Sequence, residues 1–216
     1  MDAPNAPATT PDIAPKRRRN AAATRQAILE SAREAFTRYG YDGVGLREIA
    51  QNAGVTAMLV NRYFGSKEKL FEEVVEASLA MPGILRNEIA KKPKDSAALS
   101  QALAAALTAK TADDGARLDG ISLLIRSASN PQAAAILRER SQGHIKPLLD
   151  LLTGPNIEQR ASLFLAVVAG LQLMRRIIAL PALTEADTAA LTTELQGLFT
   201  VLLCEDAPKT EGATEK

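Results

Sequence analysis

Residues 45–64, GLREIAQNAGVTAMLVNRYF, constrain the chain more than any other stretch. Apolar residues at Leu46, Ile49, Ala50 and Ala53 recur at helical spacing and stop at Gly54. A second short helix is expected from Thr56 to Tyr63. Gly54 stands where two steeply crossed helices need a tight turn, and glycine adopts a left-handed backbone without a Cβ clash. Packing Ile49, Ala53, Val55 and Val60 inward leaves Thr56, Ala57, Met58, Asn61 and Arg62 facing out. That is the layout of a helix-turn-helix, whose second helix enters the DNA major groove. An αα-corner inside an ordinary helical domain shares the local pattern, so the flanks must separate the two.

The rest of the chain is written for helix. Of 216 residues, 46% are hydrophobic and only 4% aromatic, with no run of alternating β-branched residues to suggest a strand. That length and content can bury a substantial core, in one large domain or two small ones. No membrane span and no secretory h-region are expected. The single cysteine, Cys204, excludes an internal disulfide framework and fits a reducing cytoplasm. Charge is polarised: residues 16–70 hold eleven Lys/Arg against five Asp/Glu, or +6, while the remainder holds fifteen against twenty, or −5. The positive end coincides with the helix-turn-helix, as contact with phosphates requires.

Four segments are expected. Residues 1–20 form a disordered basic N-terminal arm: four prolines lie in 1–15, and Lys16, Arg17, Arg18 and Arg19 follow. Such a charge run either contacts phosphates or a minor groove, or is simply solvated. Residues 22–82 make the helix-turn-helix domain. Its first helix runs from Ala21 to Tyr39 with Ile28, Ala32, Ala35, Phe36 and Tyr39 on one face, and Ser66 caps a fourth. Met81-Pro82-Gly83 breaks or kinks that helix and is the expected hinge between the DNA-binding and effector portions. Residues 83–204 form a helical bundle, and 205–216 a flexible tail. Within the bundle, Ser96 is read as a cap, Asn130-Pro131 as a helix start, and Thr184 with Asp187 as a capping box.

The flanks also carry a family likeness. Upstream stands TRQAILESAREAFTRYGY at 24–41, with Ile28, Ala32, Phe36 and Gly40; downstream stands YFGSKEKLF at 63–71. Together with Arg47, Glu48, Ile49, Ala50, Ala53, Gly54 and Val55, these resemble the DNA-binding domain of the TetR family of bacterial regulators over residues 22–82. The resemblance implies an all-α fold, with an N-terminal three-helix DNA-binding domain followed by a C-terminal helical bundle. It also implies a ligand-responsive repressor that binds a pseudo-palindromic double-stranded DNA operator as a homodimer. A helical module that binds a small molecule or a protein, without reading DNA sequence, is the alternative.

By the same resemblance, Ala57, Met58 and Leu59 meet base edges with Arg47 beside them, while Thr56, Asn61, Arg62, Tyr63 and Lys67 meet phosphates. Alanine and methionine can pack on thymine methyls, and Arg47 is the candidate for a guanine edge. Gly45 departs from the Ser or Thr common before the second helix, and Asn61 stands where Tyr is frequent. The last two long helices, near 156–180 and 184–204, would pair with a second copy. A small-molecule cavity is implied in the bundle, with a largely apolar effector. Its candidate apolar lining is Leu103, Leu107, Leu118, Ile121, Leu124, Ile125, Leu148, Phe164, Val168 and Leu171, with His144 and Arg175 as polar anchors. His144, the only histidine, is read as a satisfied polar residue in preference to an effector ligand. With no second histidine or cysteine, no metal-ligand set or nucleophilic triad is expected, and no cofactor.

Overall fold

The computed structural model describes residues 14–78, 81–112 and 119–204, whose regular elements are all helices. Helix α1 spans Ala14–Tyr39. It therefore begins inside the segment expected to be a disordered arm, while residues 1–13 lie outside the described residues, as does the tail 205–216. From Leu46 the order is α2 (Leu46–Asn52), α3 (Ala57–Phe64), α4 (Lys67–Ser78), α5 (Met81–Ala90) and α6 (Ser96–Ala112). Then follow α7 (Asp119–Ser127), α8 (Pro131–Leu149), α9 (Ile157–Gln172), a π-helical turn (Leu173–Ile177), α10 (Pro181–Thr184) and α11 (Thr188–Leu203).

The helix starts show which local signals worked. Asn130 caps α8, accepting from Ala133 N at 2.9 Å, with Pro131 in the first turn as expected. Three expectations move. Asp95, not Ser96, caps α6 by accepting from Ala98 N at 2.8 Å. Asp187 alone caps α11, accepting from Ala190 N at 2.8 Å, while the Thr184 hydroxyl turns back to the carbonyls of Leu180 and Pro181. Met81-Pro82-Gly83 forms the first turn of a new helix, α5, past the end of α4 at Ser78, where a proline lacks only an N–H that would be unpaired anyway.

Two apolar cores organise the helices. The first joins Ile28, Ala32 and Phe36 of α1 to Ile49, Val60, Phe64, Leu70, Phe71 and Val74, and it also takes in Leu123 of α7 with Ala133, Ile136 and Leu137 of α8. Its centre is aromatic: Phe71 meets Phe36 edge-on at 5.1 Å and Tyr41 at 4.9 Å between ring centroids. Tyr39, expected inward, is 47% exposed. The helix ends there, Gly40 turns the chain at φ +72°, and Tyr41 returns beneath Phe36 instead. The second core gathers Leu85, Leu99, Leu103, Leu107, Leu148, Phe164, Val168, Leu195 and Phe199, with Phe164 and Phe199 at 4.7 Å. Arg160 of α9 closes its far end by donating to the carbonyls of Thr153, Leu202 and Cys204 at 2.7–3.1 Å, satisfying the open end of α11.

By length and composition alone the stretch Ile157–Ile177, with mean hydropathy 1.2, would reach across a bilayer, a test that core helices of soluble proteins also pass. Only 22% of its window is buried within the chain.

Gly40 and Gly54 separate two costs that sequence cannot tell apart. Both hold a positive φ, but a Cβ on Gly40 would lie 2.3 Å from the Arg126 carbonyl oxygen, whereas one on Gly54 would meet nothing within 4 Å. Gly54→Ala is expected to cost ~1–2 kcal/mol, the left-handed penalty alone. Gly40→Ala should cost clearly more, because the α1–α7 joint must open as well. Urea unfolding of both variants at matched protein concentration checks the order.

Candidate nucleic-acid interface

The bend between α2 and α3 is built almost entirely from backbone. Gly54 N donates to Gln51 O at 3.1 Å and Val55 N to Ala50 O at 2.9 Å, closing the turn that Gly54 permits at φ +68°. Ile49, Ala50, Val60 and Phe64 are buried and lock the two helices against α1 and α4. The exposed side of α3 then follows from helical spacing, with Met58, Asn61 and Arg62 at i, i+3 and i+4. Met58 is 82% exposed, the most open large apolar side chain among the described residues. Such a side chain on a short helix with a rigid inner face is suited to contact a partner.

Each residue expected at DNA has a definite place. Arg47, in the first turn of α2, is exposed, as are Thr56, Asn61 and Arg62. Thr56 caps α3, its hydroxyl accepting from Leu59 N at 3.3 Å, so that oxygen already has a structural task. Leu59 is half-buried; Ala57 and Tyr63 are half-buried against the first core, so Ala57 faces out less fully than the pattern suggests. Gly45 precedes α2 with no side-chain cap, as its identity implies. Ser66 accepts from Lys69 N at 3.2 Å and fixes the start of α4. There Lys67 rests its ammonium 4.5 Å from the centre of the Tyr41 ring, which positions the cation without neutralising it.

Tyr41 is the residue that sequence reasoning passed over. Its backbone N–H donates to the Ser127 hydroxyl at 3.1 Å, and its own hydroxyl donates to Glu68 at 3.0 Å, with Gln132 Oε1 a longer acceptor at 3.4 Å. Asn130 adds a bond to Asp42 at 2.8 Å. Burial and then the Glu68 bond push the Tyr41 hydroxyl up to about 12, so it stays a donor throughout the neutral range. The Glu68 carboxyl is held below the usual range by its own backbone N–H, by Ser66 and by Tyr41. A second set of contacts joins α4 to α8: Arg140 to Glu72 at 3.0 Å, and His144 Nε2 to Glu76 at 3.2 Å. The aromatic following Gly40 was the only sequence signal for the first joint, and its partners some ninety residues away left none.

The candidate effector residues lie in several parts of the bundle. Leu103, Leu107, Leu148, Phe164, Val168 and Leu171 belong to the second core. Ile121 is buried, Leu124 half-buried and Ile125 47% exposed on α7, while Leu118 lies outside the described residues. Arg175, Leu171 and His144 line three separate pockets. Burial of a leucine in a core and at a ligand wall leave the same sequence pattern, so the apolar residues could not be sorted in advance.

Known proteins give this geometry its context. The model of bacterial regulatory proteins of the tetR family matches residues 28–74, and that of the tetracyclin repressor-like C-terminal domain matches 97–203. The chain is 60% identical over 43 residues to the HTH-type transcriptional regulatory protein RaaS of Mycobacterium tuberculosis, covering 20% of each. It is 42% identical over 48 residues to the HTH-type transcriptional repressor AcnR of Corynebacterium efficiens, covering 22% of this chain and 26% of that one. These matches thus span about a quarter or less of those relatives. Over nearly full length, the fold superposes on a TetR-family regulator from Streptomyces coelicolor A3 with TM-score 0.61 and 26% identity, covering 84% of this chain and 95% of that one. With residues 28–74 and 97–203 both matched by models of one family, the chain belongs to the tetR family of bacterial regulatory proteins.

Proposed function

We propose that this chain is a DNA-binding transcriptional repressor that acts as a homodimer in the bacterial cytoplasm and is released from its operator by a small molecule. The observation that carries the reading is the exposed face of α3, with Met58, Asn61 and Arg62 open to solvent above a rigid core and Arg47 exposed on the preceding helix. Residues 22–82 serve as the reading head and 83–204 as the effector and pairing part. Ala57, Met58 and Leu59 offer apolar contacts suited to thymine methyls, and Arg47 the bidentate donor suited to guanine. Asn61, Arg62, Tyr63, Lys67 and the backbone around Thr56 hold phosphates.

Pairing is supported by apolar surface that a single chain leaves open. Leu163, Met174, Ile177, Leu198 and Val201 are each 39–53% exposed on α9, the π-helical turn and α11. A shallow apolar groove runs between them through Val167, Gly170, Leu191 and Leu195. A second copy laid on this face would cover the stretch whose hydropathy otherwise suits a membrane. Two paired heads then present two α3 helices to half-sites about one turn of DNA, ~34–36 Å, apart or a multiple of it.

Release requires that the effector favour an arrangement that fits DNA poorly. Motion in the bundle would reach the head through Tyr41–Ser127 and through the Arg140 and His144 contacts on α4, which take the role expected of Pro82-Gly83.

The reading makes two measurable demands. On duplex operator, Arg47→Ala should cost ~1–3 kcal/mol and relax preference at one base position, while Lys67→Ala weakens all sequences alike and flattens the salt slope by about one. Fluorescence anisotropy across a salt series resolves both; binding indifferent to salt would favour the module that does not read DNA. Leu198→Glu should shift sedimentation toward the monomer and weaken operator binding, with the melting of the first core little changed.

A further inference from the structure

Where α9 passes into its π-helical turn, a guanidinium is buried with no acid beside it among the described residues. Arg175 is 6% exposed. Its Nη1 donates to the Thr108 carbonyl at 3.2 Å and to the Thr111 hydroxyl at 2.9 Å, and no carboxylate among the described residues pairs with it. These two bonds leave the Nε and Nη2 hydrogens unused. A charge this buried is costly unless something of opposite sign meets it.

The space beside it can supply that partner. Arg175 forms part of the wall of a half-open pocket of about 520 Å³, with Thr111, Arg176, Thr184, Ala186 and Thr188 around it. The volume falls in the range of small-molecule sites. Among the described residues the wall presents Arg175 with the hydroxyls of Thr111, Thr184 and Thr188. Its backbone is also unusual: Arg175 and Arg176 sit on the π-helical turn, and Ala179, on the same wall, holds φ +56° without being glycine. Both features are over-represented at functional sites.

We infer that this pocket binds a small polar organic acid, its carboxylate taken in a two-pronged bond by Arg175 and its body set among the threonine hydroxyls. The inference rests on the effector-released reading above and names the chemical class of effector, an organic anion in place of the largely apolar molecule that the bundle's composition suggests. Binding would tie α6, through Thr108 and Thr111, to the end of α9 and the start of α11, the elements that carry the proposed pairing face.

Calorimetric titration of the full-length protein with acetate, succinate, citrate and benzoate, each beside its neutral amide, tests the site. At least one carboxylate should bind, with its amide weaker by ~tenfold or more, as loss of a charge-assisted pair requires. Arg175→Met should abolish the difference. Because that change removes buried bonds, Ala186→Leu, which fills the pocket from its half-buried rim, should abolish it independently. If no carboxylate outbinds its amide, or if Ala186→Leu leaves binding intact, the inference falls. Operator binding measured on the same samples keeps the two readings apart. Operator bound without any carboxylate preference removes this site and leaves the regulator. A carboxylate held through Arg175 by a protein that binds no operator keeps the site and removes the regulator.

Discussion

The packing of Tyr41 on Phe71 is the contact on which both halves of the molecule depend. Its ring completes the aromatic centre of the first core, its backbone N–H reaches α7, and its hydroxyl reaches α4. Gly40 makes this possible, since a side chain there would collide with the Arg126 carbonyl. A reading helix is useful only if its base is rigid, and the base here is shared with the bundle: Leu123, Ala133, Ile136 and Leu137 lie in the same core as the helix-turn-helix. The boundary at residue 82 is thus a division of the sequence, while the packing crosses it.

Signals that act over three or four residues were legible in the chain. Gly54 in a left-handed turn, Ser66 at the start of α4, and Asn130-Pro131 at the start of α8 each follow from one side chain and the backbone beside it. Competition between neighbouring caps was not. Ser96 and Thr184 are good cap residues, yet Asp95 and Asp187 took the positions, because the carboxylate accepts more strongly and the helix then starts one residue beyond it. Tyr39 and Tyr41 present the same difficulty. Helical periodicity favours Tyr39 inward, but the turn at Gly40 ends that periodicity before Tyr41 is placed.

At the candidate sites the division is similar. The exposed row on α3 follows from spacing alone, since one side of a short helix must pack and the other cannot. The pocket beside Arg175 draws threonines and alanines from α6, from α10 and from the start of α11, residue types with no periodic signature. Ten apolar residues were legible as candidates for an effector cavity in the bundle, and six of them lie in the second core, because filling a core and lining a cavity ask the same thing of a leucine.

The π-helical turn has a geometric consequence for everything that follows it. One residue more than an α-turn holds shifts the phase of the helix by about 100°. Residues before Leu173 and residues after it therefore belong to different angular settings of a single rod. Upstream, the rod can offer Leu163 and Val167 to one neighbour; downstream, it can turn Arg175 toward α6 without bending. Deleting one residue between 173 and 177 would restore a uniform pitch, bringing the seam and the arginine into register on faces where neither has a counterpart. The irregularity works as a fixed rotation between two surfaces, set by chain length and not by any side chain.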